Sequence, residues 1–268
     1  MDKLLVICGP TATGKTAIAA ALAKKFNGEL ISADSRQVYR GMDIVTGKER
    51  GDVPVWLYDV VNPDEEFSVS QWVKLAKNAI VDIVKRGKLP IVVGGTGLYI
   101  QALLHPIETI DIPPNRRLRK KLQLLSVSEL QHMIVRGEIN QSDWNNPRRL
   151  IRKIEIAQSK IVFGKQIHQC DYFIIGLTAP LPVLDKCIDE RLTVRMRCGL
   201  EAETVSLLAR YNPNLPSMSA IGVNEHAYAR RQMTWFKKMP TVVWFDISRA
   251  DYRSDVTAEV GKWYTGKQ

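Results

Sequence analysis

Hydrophobic positions along the chain fall into two rhythms. Apolar runs at 4–8 and 89–93 have the character of strands buried on both faces, as in parallel sheets, and Asp171 to Leu177 returns to an apolar strand pattern. Glu29 to Ala33, Val55 to Val61 and Thr241 to Phe245 read as further strands. Between them the spacing turns helical. Ala17 to Lys25 is Ala-rich and of high helix propensity. Ser68 and Gln71 form a capping box that opens a helix to Arg86, with Gly87 as its stop. Trp72, Leu75, Ala76, Ala79, Ile80, Ile83 and Val84 make one stripe along it, which predicts core packing. Pro182 to Gly199 reads as another helix, carrying Asp189, Glu190, Arg191 and Arg195. Strands alternating with helices predict an α/β fold around a parallel sheet. Residues 43–54 and 212–216 read as loops, and the segment after Phe245 shows no pattern.

The texture changes beyond Ile112-Pro113-Pro114, where Arg116, Arg117, Arg119, Lys120 and Lys121 form a basic run. A helical segment with a second capping box, Ser128 to Gln131, follows. Pro147 then sits where a first helical turn tolerates it, ahead of Arg148, Arg149 and Arg152 on roughly one face. The expected organisation is a core of residues 1–112 and 170–268, with a small, mostly helical insertion over 113–169. Such clusters are ordinarily solvated basic faces, but repeated twice they also suit phosphate contacts along RNA.

Between the first strand and first helix lies Gly9-Pro10-Thr11-Ala12-Thr13-Gly14-Lys15-Thr16, which fits G-x-x-x-x-G-K-[ST] in the strand–loop–helix setting that a phosphate-binding loop requires. Its backbone N–H groups and the helix's positive end would receive an anion. Lys15 would add a point charge, and Thr16 a hydroxyl for Mg²⁺. The core is therefore expected to be P-loop NTPase-like, a nucleotide-binding (ATP-binding) type of loop on a parallel sheet flanked by helices. Asp34 ends the second strand, where ligands gather in open α/β sheets; the plainer reading is a turn cap. The strand before Gly94-Gly95-Thr96-Gly97 ends without the acidic Mg²⁺ ligand an NTPase usually places there. Thr96 is open to either reading, a hydrogen-bonding site group or part of a glycine-rich helix start.

The chain has 268 residues, 45% of them hydrophobic and 25% charged, with a formal charge of +10. That composition is globular, and the charge favours a polyanionic partner. Arg230, Arg231, Lys237 and Lys238 interleave with Trp235 and Phe236, a composition suited to nucleic acid, although the aromatics fit a core equally well. Cys8, Cys170, Cys187 and Cys198 are scattered without a C-x-x-C pair, which argues against a zinc site and for reduced thiols. No apolar stretch is long enough to span a membrane, and none suits a secretory signal. The expectation is a cytoplasmic monomer.

Taken together, these residues resemble the tRNA dimethylallyltransferases, also called tRNA isopentenyltransferases. The matches are residues 9–16, Asp34 to Asp43, Gly87 to Tyr99, Asn146 to Arg152, Ala220 to Gly222 and Ala229 to Phe236, in the family's order. The resemblance implies that the phosphate loop grips dimethylallyl diphosphate, with Mg²⁺, while the prenyl group passes to N6 of adenosine 37 beside a tRNA anticodon. It further implies that Asp34 is the general base, that Thr96 orients the amine or diphosphate, and that Arg191 neutralises the departing diphosphate. Asp34, Ser35, Arg36 and Gln37, and Arg148, Arg149, Leu150, Ile151 and Arg152, would contact the anticodon stem-loop. The chain departs from the pattern in a short insertion, in a contracted stretch between 222 and 229, in Asn224-Glu225-His226 where Thr-Arg-Gln is usual, and in Val55-Trp56 where a His pair is usual. Rivals are a P-loop small-molecule or nucleotide kinase, an isopentenyltransferase acting on AMP or ADP, and a non-catalytic RNA-binding protein.

Overall fold

In a computed structural model, residues 3–105, 109–110, 112–135, 140–141, 143–159 and 170–266 are described. In chain order the elements are β1 (Lys3–Cys8), α1 (Lys15–Phe26), β2 (Gly28–Ser32), β3 (Val55–Trp56), α2 (Val69–Lys85), β4 (Leu89–Gly94) and α3 (Gly97–Leu104). Then come α4 (Arg116–Leu122), α5 (Val127–His132), α6 (Pro147–Ala157), β5 (Asp171–Thr178), α7 (Leu181–Arg197) and α8 (Leu200–Arg210). A 3₁₀ turn (Ser217–Ala220), α9 (Glu225–Phe236), β6 (Val242–Asp246) and α10 (Tyr252–Thr265) complete the chain. It divides into two compact units, residues 1–105 with 168–268, and residues 106–167.

The larger unit is built on a six-stranded sheet of order β3-β2-β4-β1-β5-β6, parallel throughout. Its central strands read as apolar runs because both faces are covered: Leu4 to Cys8 are each at most 3% exposed. Leu5 and Ile7 pack with Ile18 and Leu22 of α1 and with Val256 and Val260 of α10. Helix α2 starts on the capping box of Ser68 and Gln71, as its sequence predicts. Trp72, Ala76, Ala79 and Ile83 of its stripe are buried, as is Val73, which the stripe omits. The Trp72 indole donates to Ser32 O at 3.0 Å and stacks on Tyr99, tying α2 and α3 to the end of β2.

Two expectations in this unit change. Val55 to Val61 is not one strand: pairing stops after Trp56, and Leu57 and Asp59 adopt left-handed φ of 67° and 57°. That turn delivers the Asp59 carboxylate to Lys48 at 2.7 Å and Arg50 at 2.5 Å, while Val61 makes only an isolated bridge to Tyr39. The patternless C-terminal segment contains α10, whose buried Val256 and Val260 sit amid residues too polar to show a stripe.

The smaller unit packs α4, α5 and α6 around Leu122, Leu130, Leu150, Ile151 and Ile154. Its capping box is Ser126 with Glu129, not Ser128 with Gln131. Two such patterns overlap here, and the ionised Glu129 gains more at a helix N-terminus than an amide does. Asn146 caps α6 through the N–H groups of Arg148 and Arg149. Residues 136–139, 142 and 160–169 of the expected insertion lie outside the described residues.

Candidate active site

The loop after β1 is shaped by its backbone. Gly9 has φ 142°, and a Cβ there would meet Leu177 O at 2.3 Å, so only glycine fits against β5. Ala12 is left-handed at φ 65°, a conformation that costs an L-residue roughly 1–2 kcal/mol. Gly14, also left-handed, precedes α1, and no side chain caps that helix. Its leading N–H groups are thus left for an anion. The Thr13 hydroxyl and the Lys15 ammonium both donate to Pro10 O, at 2.9 and 2.6 Å.

A cavity of about 210 Å³ opens above this loop. Thr11, Ala12, Gly14, Lys15 and Thr16 line one side, and Asp34 and Gln37 follow β2. Thr46, Gly47, Glu49 and Tyr58 form another wall, and Val93, Gly94 and Gly95 come from the end of β4. Cys187 and Arg191 of α7 and Gln232 of α9 close it. Asp34 therefore faces the same space as Lys15. It also serves its own turn, since Oδ1 accepts the Arg36 N–H at 2.9 Å, which fixes the carboxylate. Asp34 thus lines the cavity and caps its own turn at once.

Thr96 is set one step back. It occupies the N-cap place of α3 but caps nothing with its side chain. Its Oγ1 accepts Ser35 N–H at 2.9 Å, which locks the Asp34 turn to the end of β4. Thr96 N donates to Ala33 O at 3.0 Å, a second link between the same strand ends. Gln37 is spent internally: its amide donates to Gly47 O at 3.0 Å and its carbonyl accepts from Ser32 Oγ at 2.8 Å. The Arg36 guanidinium lies 4.4 Å from the Tyr228 ring centroid.

Arg191 donates to the Thr11 hydroxyl and to Glu225, and Arg195, one turn on, donates to the same carboxylate at 2.6 Å. Among the described residues, Arg191 Nε is buried with no hydrogen-bond partner, which suits an anionic ligand. Burial, with the Arg191 charge beside it, pulls the Lys15 ammonium down to about 8 despite the opposing pull of Asp34. Burial and Arg191 lower Arg195 as well. Removing cations from water beside one another is costly until an anion arrives. The phenol of Tyr58 is raised by burial, and Tyr228 is raised to about 12, by burial first and Asp34 second. Burial pushes the Cys8 thiol to about 12. Of the lining residues, Asp34 and Glu49 are the carboxylates.

In the smaller unit, Arg148 and Arg149 are exposed. Leu150 and Ile151 are 0% and 6% exposed and belong to its core, so their expected RNA contact is corrected to a packing role. Arg152 is half-buried and donates to Thr109 O and Ile112 O at 3.1 and 2.8 Å. In α9, Phe236 is buried and Trp235 packs against Gly97, whereas Arg230, Arg231, Lys237 and Lys238 are exposed. Sequence reasoning missed Glu225, Gln232, Arg195, Glu49 and Tyr58. Positions 225, 228 and 232 recur at i, i+3 and i+7, a helical face that becomes visible once 225–236 is taken as one helix.

Two family models match the sequence: IPP transferase over residues 37–227, and Isopentenyl transferase over residues 2–52. A tRNA dimethylallyltransferase of Roseiflexus sp. (strain RS-1) is 37% identical over 303 aligned positions, covering 98% of this chain and 99% of that protein. Those positions outnumber the 268 residues here, so the relative carries segments that this chain lacks. A tRNA dimethylallyltransferase of Bacillus cytotoxicus is 34% identical, covering 99% of this chain and 96% of that protein. Among solved structures, the tRNA isopentenylpyrophosphate transferase of Bacillus halodurans superposes with a TM-score of 0.75 at 33% identity, covering 100% of this chain and 98% of that one. A eukaryotic dimethylallyltransferase shares the fold at a TM-score of 0.81 and 24% identity, over 100% of this chain and 81% of that one. By the family model over residues 37–227 and by relatives that match nearly its full length, this chain belongs to the IPP transferase family.

Proposed function

We propose that this protein transfers a dimethylallyl group from dimethylallyl diphosphate to tRNA, at N6 of adenosine 37 in the anticodon stem-loop, and releases diphosphate. The observation that carries the reading is the shared cavity, with Lys15 and Arg191 on one side and Asp34 on the other. A phosphate cradle alone would serve a kinase equally well. Here β4 ends in Gly94 and Gly95, where a kinase of this fold usually sets an acidic Mg²⁺ ligand.

In this reading the loop N–H groups, Lys15 and Arg191 take up charge as the C–O bond to diphosphate breaks. Arg191 Nε, buried and unpartnered, is available to a phosphate oxygen. Asp34 accepts the N6 proton as the new C–N bond forms, which an amine with its lone pair delocalised into the purine requires. Thr96 acts through Ser35 by holding the Asp34 turn. The target base leaves its stack to reach the cavity, with exposed Arg148 and Arg149 contacting RNA phosphates. Thr16 fits Mg²⁺: it places a hard oxygen donor on the cavity, and no cluster of three His, Cys, Asp or Glu exists among the described residues, which suits an ion held largely by phosphates and water. Bound there, Mg²⁺ would supply further neutralisation of the diphosphate. The protein works as a cytoplasmic monomer in this reading; no helix among the described residues is long and apolar enough to cross a membrane.

The test follows two labels at once. Protein and Mg²⁺ are incubated with prenyl-labelled dimethylallyl diphosphate and γ-labelled ATP, with tRNA and AMP as acceptors. The reading expects prenyl label on tRNA alone. Phosphate label on any acceptor, or prenyl label on AMP in preference to tRNA, rejects it.

A further inference from the structure

Helix α9 carries a buried amide that no part of the chemistry above uses. Gln232 is 6% exposed, and its side chain spans two loops that never meet directly in sequence. Its Oε1 accepts the N–H of Thr11, in the phosphate loop, at 2.8 Å. Its Nε2 donates to the carbonyl of Gly95, at the end of β4, at 2.9 Å. The partners dictate the amide's orientation, since a backbone N–H needs an acceptor and a carbonyl needs a donor. Carboxylate, hydroxyl or thioether side chains cannot supply both at this spacing. The fit is also tight from the far side: a Cβ on Gly95 would lie 2.0 Å from Gln232 Nε2.

The two tethered loops belong to the two halves of the reaction. Thr11 is in the cradle, and its hydroxyl receives Arg191. Gly95 leads into Thr96, which holds Ser35 N–H at 2.9 Å and so sets the turn carrying Asp34. One side chain therefore bridges the group that grips the leaving group and the group that aims the base. A displacement reaction is sensitive to the separation of these halves, because a misplacement of about 1 Å can lower a rate about 10²-fold.

We propose that Gln232 is a positioning residue that sets the distance between the diphosphate cradle and the acceptor site. The inference rests on the prenyl-transfer reading, and the experiment separates the two. If the unmodified protein gives no prenyl transfer to tRNA, that reading fails. If it does transfer, the variants judge Gln232.

Gln232→Met keeps the length and bulk of the side chain and removes both hydrogen bonds. Its single-turnover transfer rate, with both substrates saturating and normalised to folded protein, is expected to fall about tenfold to 10²-fold. The KM values for donor and tRNA should stay within about threefold, since neither half is itself dismantled. Gly95→Ala, which presses on the same amide from the other loop, should give the same signature and serves where Gln232→Met folds poorly. A lower melting temperature with an unchanged rate per folded molecule would make Gln232 merely structural and overturn the proposal. So would a higher donor KM at unchanged saturated rate, which would mean that the amide supports binding and not alignment.

Discussion

Each unit of this protein builds the same small device, one carboxylate holding two arginines, and the two differ in what lies beside it. In the larger unit Glu225 holds Arg191 and Arg195 next to the cavity. In the smaller one Glu155, with its side chain 1% exposed, holds Arg119 at 2.7 Å and Arg152 at 3.6 Å among the helices of a small core. Arg191 of the first pair lines the cavity, whereas Arg119 and Arg152 of the second are paired with Glu155 in the smaller unit. Arg148 and Arg149 of the smaller unit are exposed instead, and in the proposed function they are its RNA contacts. Fixed cations suit a charge that develops at one point, and exposed ones suit a polyanion whose phosphates recur along a surface.

Breaking the facing carboxylate should have the largest effect. Asp34→Ala is expected to lower prenyl transfer by about 10² or more, with tRNA affinity within about threefold, measured by single turnover and filter binding. A next step contrasts the two arginine holders. Glu225→Gln should slow transfer by about tenfold at saturating substrates, as Arg191 loses its fixed place. Glu155→Ala should instead destabilise the protein by about 1–3 kcal/mol in urea unfolding, while the rate per folded molecule is kept.

The cradle's charge can be read through pH. With Lys15 lowered to about 8, the donor KM should rise several-fold between pH 7 and 9 as that ammonium loses its proton. A base depressed in the folded state binds fewer protons there than in the unfolded chain. The ligand-free protein should therefore gain stability as pH rises from about 8 towards the ordinary lysine value of 10.5, and bound diphosphate should remove that gain. The smallest effect belongs to the exposed cations. Arg149→Ala should weaken tRNA binding a few-fold and reduce its salt slope by about 1, leaving the saturated rate unchanged.

What could be read in advance follows the same division. The loop between β1 and α1 was legible because backbone sets its shape, and the glycine spacing that permits such a backbone is written in consecutive residues. The sheet was legible where strands are buried on both faces and failed at Val55 to Val61, where left-handed Leu57 and Asp59 answer to Lys48 and Arg50 and not to local propensity. Asp34 could be placed at a strand end, but whether it capped or faced a ligand needed the third dimension. Glu225 and Gln232 were hidden for another reason. Each acts on a partner 34 to 221 residues away, and the helical face they share shows only once 225–236 is taken as one helix. Leu150 and Ile151 are expected at the RNA only through the family resemblance, whereas the helical spacing of Leu150, Ile151 and Ile154 turns them into the core of α6's unit.

The account stands most directly on the chemical fate of one nucleoside. Unmodified tRNA with adenosine at position 37, and the same tRNA with guanosine there, are incubated with the protein, Mg²⁺ and dimethylallyl diphosphate, then digested for mass analysis. The account predicts adenosine heavier by one dimethylallyl group in the first tRNA, an equal yield of diphosphate, and neither product in the second. Diphosphate released without any prenylated nucleoside, or equal modification of both tRNAs, would contradict it.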